Sequence, residues 1–268
     1  MAITSVNRID AVFDELGAES RTALMPYLMA GYPDVETSLE LLVAVAKAGA
    51  DLIEFGVPYS DPLADGPTIQ AAGEAALRNG VNTDTVFDLV RQARESVDIP
   101  VVMMTYYNTI YRYGLERFAE KAAQSGVDGV IAPDLPPEEA GPWAEAASKF
   151  GIATVMLVAP TSTDRRIERI SELSKGFVYC VSLTGVTGAR ANLPSNLTDF
   201  IHRVRALTDK PLAVGFGISE PEQAKEVSAI ADGVIIGSAL VGLVGKAGAG
   251  CVEAARAYMS SIREAIDT

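Results

Sequence analysis

Two hydrophobic patterns alternate along the chain. Short apolar runs rich in β-branched residues recur, and each is followed by a stretch whose apolar positions return at helical spacing. The runs read as strands are 24–30, 52–55, 101–104, 129–132, 154–158, 177–181, 212–215 and 233–236, eight in all. Strands that are apolar on both faces imply a parallel sheet covered by helices. Between them, 35–48 places Leu39, Leu42, Val43 and Ala46 on one helical face, 115–124 follows Gly114, and Thr163 stands where a cap would open a helix. A helix near 9–16 precedes the first strand and is expected to close a barrel bottom. Two further segments, 68–78 and 83–96, exceed the minimal strand–helix unit.

Strand–helix alternation gives the α/β class. Eight units fit a closed (β/α)8 barrel, a TIM barrel with extra helices, better than an open doubly wound sheet. The open sheet lacks the G-x-G-x-x-G turn that opens a helix after the first strand. A barrel needs about 250 residues, and the chain has 268 with no linker or low-complexity stretch, so residues 1–268 are expected to form a single domain.

Charge narrows the partners. The net charge is −13, which argues against a nucleic-acid face and against anionic lipid. The same field repels a phosphorylated substrate, so any phosphate site must be built locally from oriented dipoles. The two cysteines, Cys180 and Cys251, lie in apolar stretches and read as buried thiols of a reducing compartment. The first ten residues carry no apolar signal region, and apolar runs such as 233–245 fall short of the ~18 residues of a membrane span. A cytoplasmic location is expected. No Cys/His cluster has metal-ligand spacing, and His202 reads as a surface residue.

In barrels of this kind the active site lies at the C-terminal strand ends. The second strand carries Glu54 and runs into a loop holding Pro58, Ser60, Asp61, Pro62 and Asp65. Glu54 is either a carboxylate satisfied by a salt bridge or amides, or a proton-transfer group raised by desolvation. Asp65 is either an N-cap ahead of Gly66-Pro67 or a second carboxylate converging on the same pocket. Glycine turns end strands six, seven and eight, and offer backbone amides for a phosphate dianion. The stretch 187–194 is a mobile lid or an ordinary surface loop. Tyr27 and Tyr106 either wall an apolar ring pocket or fill the core.

The run from Ile53 through Glu54-Phe55-Gly56-Val57-Pro58-Tyr59-Ser60-Asp61-Pro62-Leu63-Ala64-Asp65-Gly66-Pro67 to Gln70 resembles the signature of tryptophan synthase α subunits. Supporting matches are Pro26-Tyr27, Tyr106-Tyr107-Asn108, Gly185-Val186-Thr187-Gly188, Gly215-Phe216-Gly217-Ile218 and Gly237-Ser238-Ala239. The resemblance implies retro-aldol cleavage of indole-3-glycerol phosphate to indole and glyceraldehyde 3-phosphate, with no cofactor or metal in this subunit. It implies Glu54 as the acid/base, Asp65 as the carboxylate on the indole N–H and Tyr179 beside them. Gly188, Gly217, Gly237 and Ser238 match phosphate-binding positions, and Thr187 the lid. Tyr27, Met104, Tyr106 and Phe216 surround the indole; Tyr27 and Met104 depart from the phenylalanine and leucine of some relatives. The resemblance also implies an α2β2 assembly with a β subunit that holds pyridoxal phosphate and receives the indole. Pro58, Ser60, Asp61 and Pro62 match its contact surface, through which binding would order the Asp65 loop. Three rivals remain at this point: another phosphate-binding barrel enzyme such as a sugar-phosphate isomerase, a non-catalytic regulatory subunit, and a free-standing indole-releasing lyase, against which only the 58–62 surface leans.

Overall fold

The computed structural model describes residues 7–181, 193, 196–215 and 217–268. In chain order it contains α1 (Arg8–Ala18), β1 (Ala23–Met29), α2 (Val35–Lys47), β2 (Ile53–Gly56), α3 (Pro67–Arg78), α4 (Thr83–Ala93), β3 (Val101–Met104), α5 (Tyr107–Tyr113), α6 (Leu115–Ser125) and β4 (Gly129–Ile131). These are followed by α7 (Gly141–Lys149), β5 (Ala153–Val158), α8 (Asp164–Leu173), β6 (Val178–Val181), α9 (Leu197–Arg205), β7 (Leu212–Gly215), α10 (Pro221–Ser228), β8 (Gly233–Ile236), α11 (Ser238–Ala247) and α12 (Cys251–Ile266). The strands pair in parallel in sequence order and β8 closes on β1, which makes a (β/α)8 barrel.

Side-chain alternation divides the core in two. Leu28, Phe55, Met103, Val130 and Val214 point outward into a layer shared with the helices. Met25, Leu52, Val102, Ile131, Val155, Tyr179, Ala213 and Ile235 point inward and fill the barrel. Both layers are dry, which is why the strands read as unbroken apolar runs.

The bottom of the barrel is sealed by α1. Asn7 caps it by accepting from the Ile9 amide at 2.9 Å, and donates to the carbonyls of Asp128 and Gly151. Ile9 lies over two strand-end glycines. A Cβ at Gly129 would stand 2.9 Å from Ile9 Cδ1, and one at Gly176 2.6 Å from Cγ2. Phe13 meets the Phe177 ring at 5.6 Å.

At the same end a motif recurs that periodicity alone does not expose. Asp51, Asp128 and Asp232 precede β2, β4 and β8. Each donates its amide to a carbonyl on the preceding strand side and accepts that same residue's amide on its carboxylate: Leu24 at 2.8 Å, Val101 at 2.8 Å and Leu212 at 2.7 Å. Before β6, Ser174 Oγ accepts from the Met156 amide. An arginine faces each aspartate: Arg263 at 2.8 Å from Asp51, Arg94 at 2.5 Å from Asp128, and Arg205 beside Asp232. A backbone amide of every second strand, β1, β3, β5 and β7, is thus satisfied by a side chain from the segment before the next strand.

Several expectations shift by local physics. In α2 the buried positions are Ser38, Leu41, Leu42, Ala44 and Val45, whereas Leu39, Val43 and Ala46 are only partly buried. Glu36, Glu40 and Lys47 mark the exposed face of this helix, and packing on α12, α4 and β1 decides which of its apolar positions are buried most. Thr163 caps α8 as expected, accepting from the Arg166 amide. The helical stretch Ser238–Ile266 is long and apolar enough by composition to cross a membrane. A turn at Gly248 (φ 55°) divides it into α11 and α12, which pack on each other, on α2 and α3, and on β1. Both cysteines are buried and unpaired, and His202 is exposed.

Candidate active site

At the C-terminal mouth of the barrel lies a cavity of about 280 Å³, lined by residues from almost every strand end. Glu54 stands two positions after the inward-pointing Leu52, so strand alternation turns it into this cavity and away from the helices. It is 1% exposed. One carboxylate oxygen accepts from the Tyr179 hydroxyl at 3.4 Å, and the other has no partner among the described residues. Burial pushes its pKa up to about 8; the Tyr179 hydrogen bond pulls it down and the Asp65 charge adds to the rise.

Asp65 reaches the cavity from the β2–α3 loop. It is not the N-cap of α3: Gly66 holds that position without a side-chain bond, and Pro67 supplies the first helical residue. The Asp65 carboxylate is instead free for the cavity, where its pKa is pushed up to about 6 by burial and drawn down by a hydrogen bond from the Tyr106 hydroxyl. Two carboxylates therefore share one pocket in unlike surroundings. The loop that delivers Asp65 is braced from α3, where Gln70 donates to the Asp65 carbonyl at 2.9 Å and the Pro62 carbonyl at 3.3 Å.

Two tyrosines enter the pocket by the same device. Tyr27 pairs with Glu54 across β1–β2, and its phenol leans over Gly56 two residues further on. Tyr179 pairs with Ala213 across β6–β7 and leans over Gly215. A Cβ at Gly56 would stand 2.0 Å from the Tyr27 hydroxyl, and one at Gly215 2.7 Å from that of Tyr179. Gly215 thus makes room for a phenol, a job the sequence pattern had merged with a phosphate turn. Burial raises the ionisation of both phenols well above the usual tyrosine range, so both remain proton donors.

A model of the family described as tryptophan synthase alpha chain matches residues 13–266. The chain belongs to that family. Its relatives include the tryptophan synthase alpha chains of Roseiflexus sp., 51% identical over 90% of this chain and 93% of that one, and of Caldanaerobacter subterraneus, 46% identical over 97% and 100%. Among solved structures, the tryptophan synthase subunit alpha of Legionella pneumophila is similar with a TM-score of 0.92 and 39% identity over 98% of this chain and 99% of that one. A Mycobacterium tuberculosis tryptophan synthase chain gives a TM-score of 0.92 and 40% identity over 98% and 100%. Neither the sugar-phosphate isomerase nor the non-catalytic subunit is favoured by these matches.

The residues singled out in the sequence distribute as follows. Glu54, Asp65, Tyr179, Tyr27, Met104, Gly217, Gly237 and Ser238 all line the one cavity, joined by Ile69, Pro133, Leu157 and Ile235, for which the sequence suggested no site role. Gly217 has φ 75°, and Ser238 opens α11 behind Gly237. Tyr106 is not among the cavity-lining residues: it is 6% exposed, stacked on Tyr59 at 4.9 Å and engaged with the Asp65 loop. Ser60 and Asp61 are exposed and Pro62 half-buried, whereas Pro58 is buried and offers little surface. Thr187, Gly188 and Phe216 lie outside the described residues.

Proposed function

We propose that this pocket cleaves indole-3-glycerol phosphate with Glu54 and Asp65 in divided roles. As a tryptophan synthase alpha chain the protein is a lyase, and its products are indole and glyceraldehyde 3-phosphate. Glu54, with a pKa of about 8, holds a proton at neutral pH and donates it to indole C3. This leaves a cationic ring whose N–H faces the Asp65 carboxylate, ionised above about 6. Glu54, now a carboxylate, takes the proton of the hydroxyl next to the ring. That carbon becomes an aldehyde, the C–C bond breaks, its electron pair neutralises the ring, and Glu54 is again protonated. Tyr179 keeps Glu54 aimed during both transfers. Met104, Leu157 and Ile235 supply apolar walls for the ring, with Tyr27 at their edge.

The phosphate end lies across the cavity on this reading. The amides around Gly217, Gly237 and Ser238, at the start of the ten-residue α11, offer a dipole to a dianion without a Lys or Arg. That suits a chain whose net charge is −13. Gly188, Thr187 and Phe216 belong to the same proposal by resemblance, as further phosphate, lid and ring contacts.

The chemistry needs no cofactor in this chain; pyridoxal phosphate belongs to a β subunit that receives the indole, in an α2β2 assembly. Ser60, Asp61 and Pro62 form its contact face, and the 91% exposed Leu63 beside them gives an apolar tip that fits a protein partner. The whole of 1–268 acts as one cytoplasmic domain.

The observation that carries the reading is that two carboxylates, Glu54 from β2 and Asp65 from the β2–α3 loop, line one cavity, with Tyr179 on Glu54 and burial raising both. Glu54→Gln is expected to lower indole release roughly 10²–10⁴-fold while indole-3-propanol phosphate, which lacks the scissile hydroxyl, still binds. Retained cleavage by that variant would refute the assignment.

A further inference from the structure

Tyr106 stands apart from the other pocket-associated tyrosines. It closes the N-terminal end of α5, and its side chain is buried under the β2–α3 loop. The hydroxyl oxygen accepts the Ala64 amide at 2.8 Å, one residue before Asp65, and the phenol is near enough to the Asp65 carboxylate to draw its pKa down. A phenol has one proton. With the amide donating to its oxygen, that proton is left for an acceptor such as the carboxylate. The group therefore sits where it can serve two consecutive residues of one loop.

The ring is fixed as firmly as the hydroxyl. It stacks on Tyr59 at 4.9 Å and 19°, and the Tyr59 hydroxyl accepts from Asn108 Nδ2 at 3.1 Å. The Tyr107 amide donates to Asp134 at 2.8 Å, which anchors the start of α5 to the loop after β4. A loop carboxylate is thus referenced to the start of α5, just after β3, rather than to its own loop alone.

We infer that Tyr106 is the positioning residue of Asp65, binding one carboxylate oxygen so that the other faces the substrate's ring N–H. This rests on the function proposed above, and it replaces the expectation that Tyr106 walls the indole. A hydrogen bond from a neutral donor to a buried carboxylate fixes its direction and favours its ionised form, both of which matter only after the ring has become cationic. Tyr106 acts through Asp65 and touches no reacting atom.

The test compares Tyr106→Phe, Asp65→Asn and the double variant in the complex with β subunit. The phenylalanine keeps the stack and removes the hydroxyl. kcat for indole release should fall roughly ten- to a hundred-fold, with KM and the affinity for indole-3-propanol phosphate little changed. The titratable groups facing Asp65 are Glu54 from β2, Tyr27 from β1, Tyr179 from β6 and Tyr106 itself. Removing Tyr106's hydroxyl withdraws the one of them that stabilises the carboxylate, so the acid limb of kcat should move to higher pH. In the Asp65→Asn background the same change should cost little, because its route of action is gone. An unchanged kcat and acid limb in Tyr106→Phe, a loss confined to KM, or full additivity in the double variant would overturn the inference. Absence of indole release by the unaltered chain would instead overturn the functional reading beneath it.

Discussion

The two ends of this barrel treat their carboxylates in opposite ways. At the bottom, Asp51, Asp128 and Asp232 each receive a backbone amide and face an arginine. Burial still nudges Asp51 upward, but the Leu24 amide and Arg263 pull against it. At the mouth, Glu54 and Asp65 each receive a single phenol, and no cation appears among the influences on either. The bottom uses charge to finish strand ends. The mouth withholds compensation and leaves its acids poised to hold or pass a proton near neutral pH. On the function proposed above, the difference separates what keeps the barrel closed from what does the chemistry, and it follows the general division between the two faces of such barrels.

That contrast can be broken experimentally. The largest effect should come from Asp128→Ala. It strands the mostly buried Arg94 and the Val101 amide, and should cost about 3–5 kcal/mol of stability, read by urea or thermal denaturation, with kcat per folded molecule unchanged. A loss of activity in excess of the loss of folded protein would show that the bottom also serves the chemistry. Next, kcat/KM should trace a bell with limbs near 6 and 8, since Asp65 must be ionised and Glu54 protonated. A profile flat from pH 5 to 9 would contradict both assignments. The smallest effect is on stability at the mouth. The folded chain holds the Glu54 proton more tightly than the unfolded chain, so Glu54 costs stability progressively as pH rises from about 4.5 through about 8. Glu54→Gln should therefore raise Tm by a few degrees at pH 8.5 and by much less at pH 5; the reverse order would mean that Glu54 is compensated like the bottom aspartates.

Much of the fold was legible because each strand is dry on both faces and each helix on one. The boundaries moved by a residue at β1, β2, β4, β5 and β6, where the ladder depends on the neighbouring strand. The short α5 was missed: after the third strand only 115–124 was singled out at helical spacing. The repeated aspartate at the bottom was missed as well, although Gly-Ala-Asp, Gly-Val-Asp and Ile-Ala-Asp stand before β2, β4 and β8 and mark it in the sequence. In the site, Glu54 and Asp65 were recognised as a motif, but the use of Gly56 and Gly215 as floors for two phenols was not. Nothing local to a glycine tells which side chain from the next strand will lie over it.

The sequence by itself determined the order and number of strands, the parallel sheet and the candidate acids, because hydrophobic period and residue chemistry are local properties of the chain. Only tertiary structure decided that Glu54 faces the cavity with Tyr179, that Asp65 is held by Tyr106 instead of capping α3, and that Pro58 is buried. Those outcomes depend on which groups meet across strands far apart in sequence, and it is the removal of water around such meetings that sets the charge state of an acid.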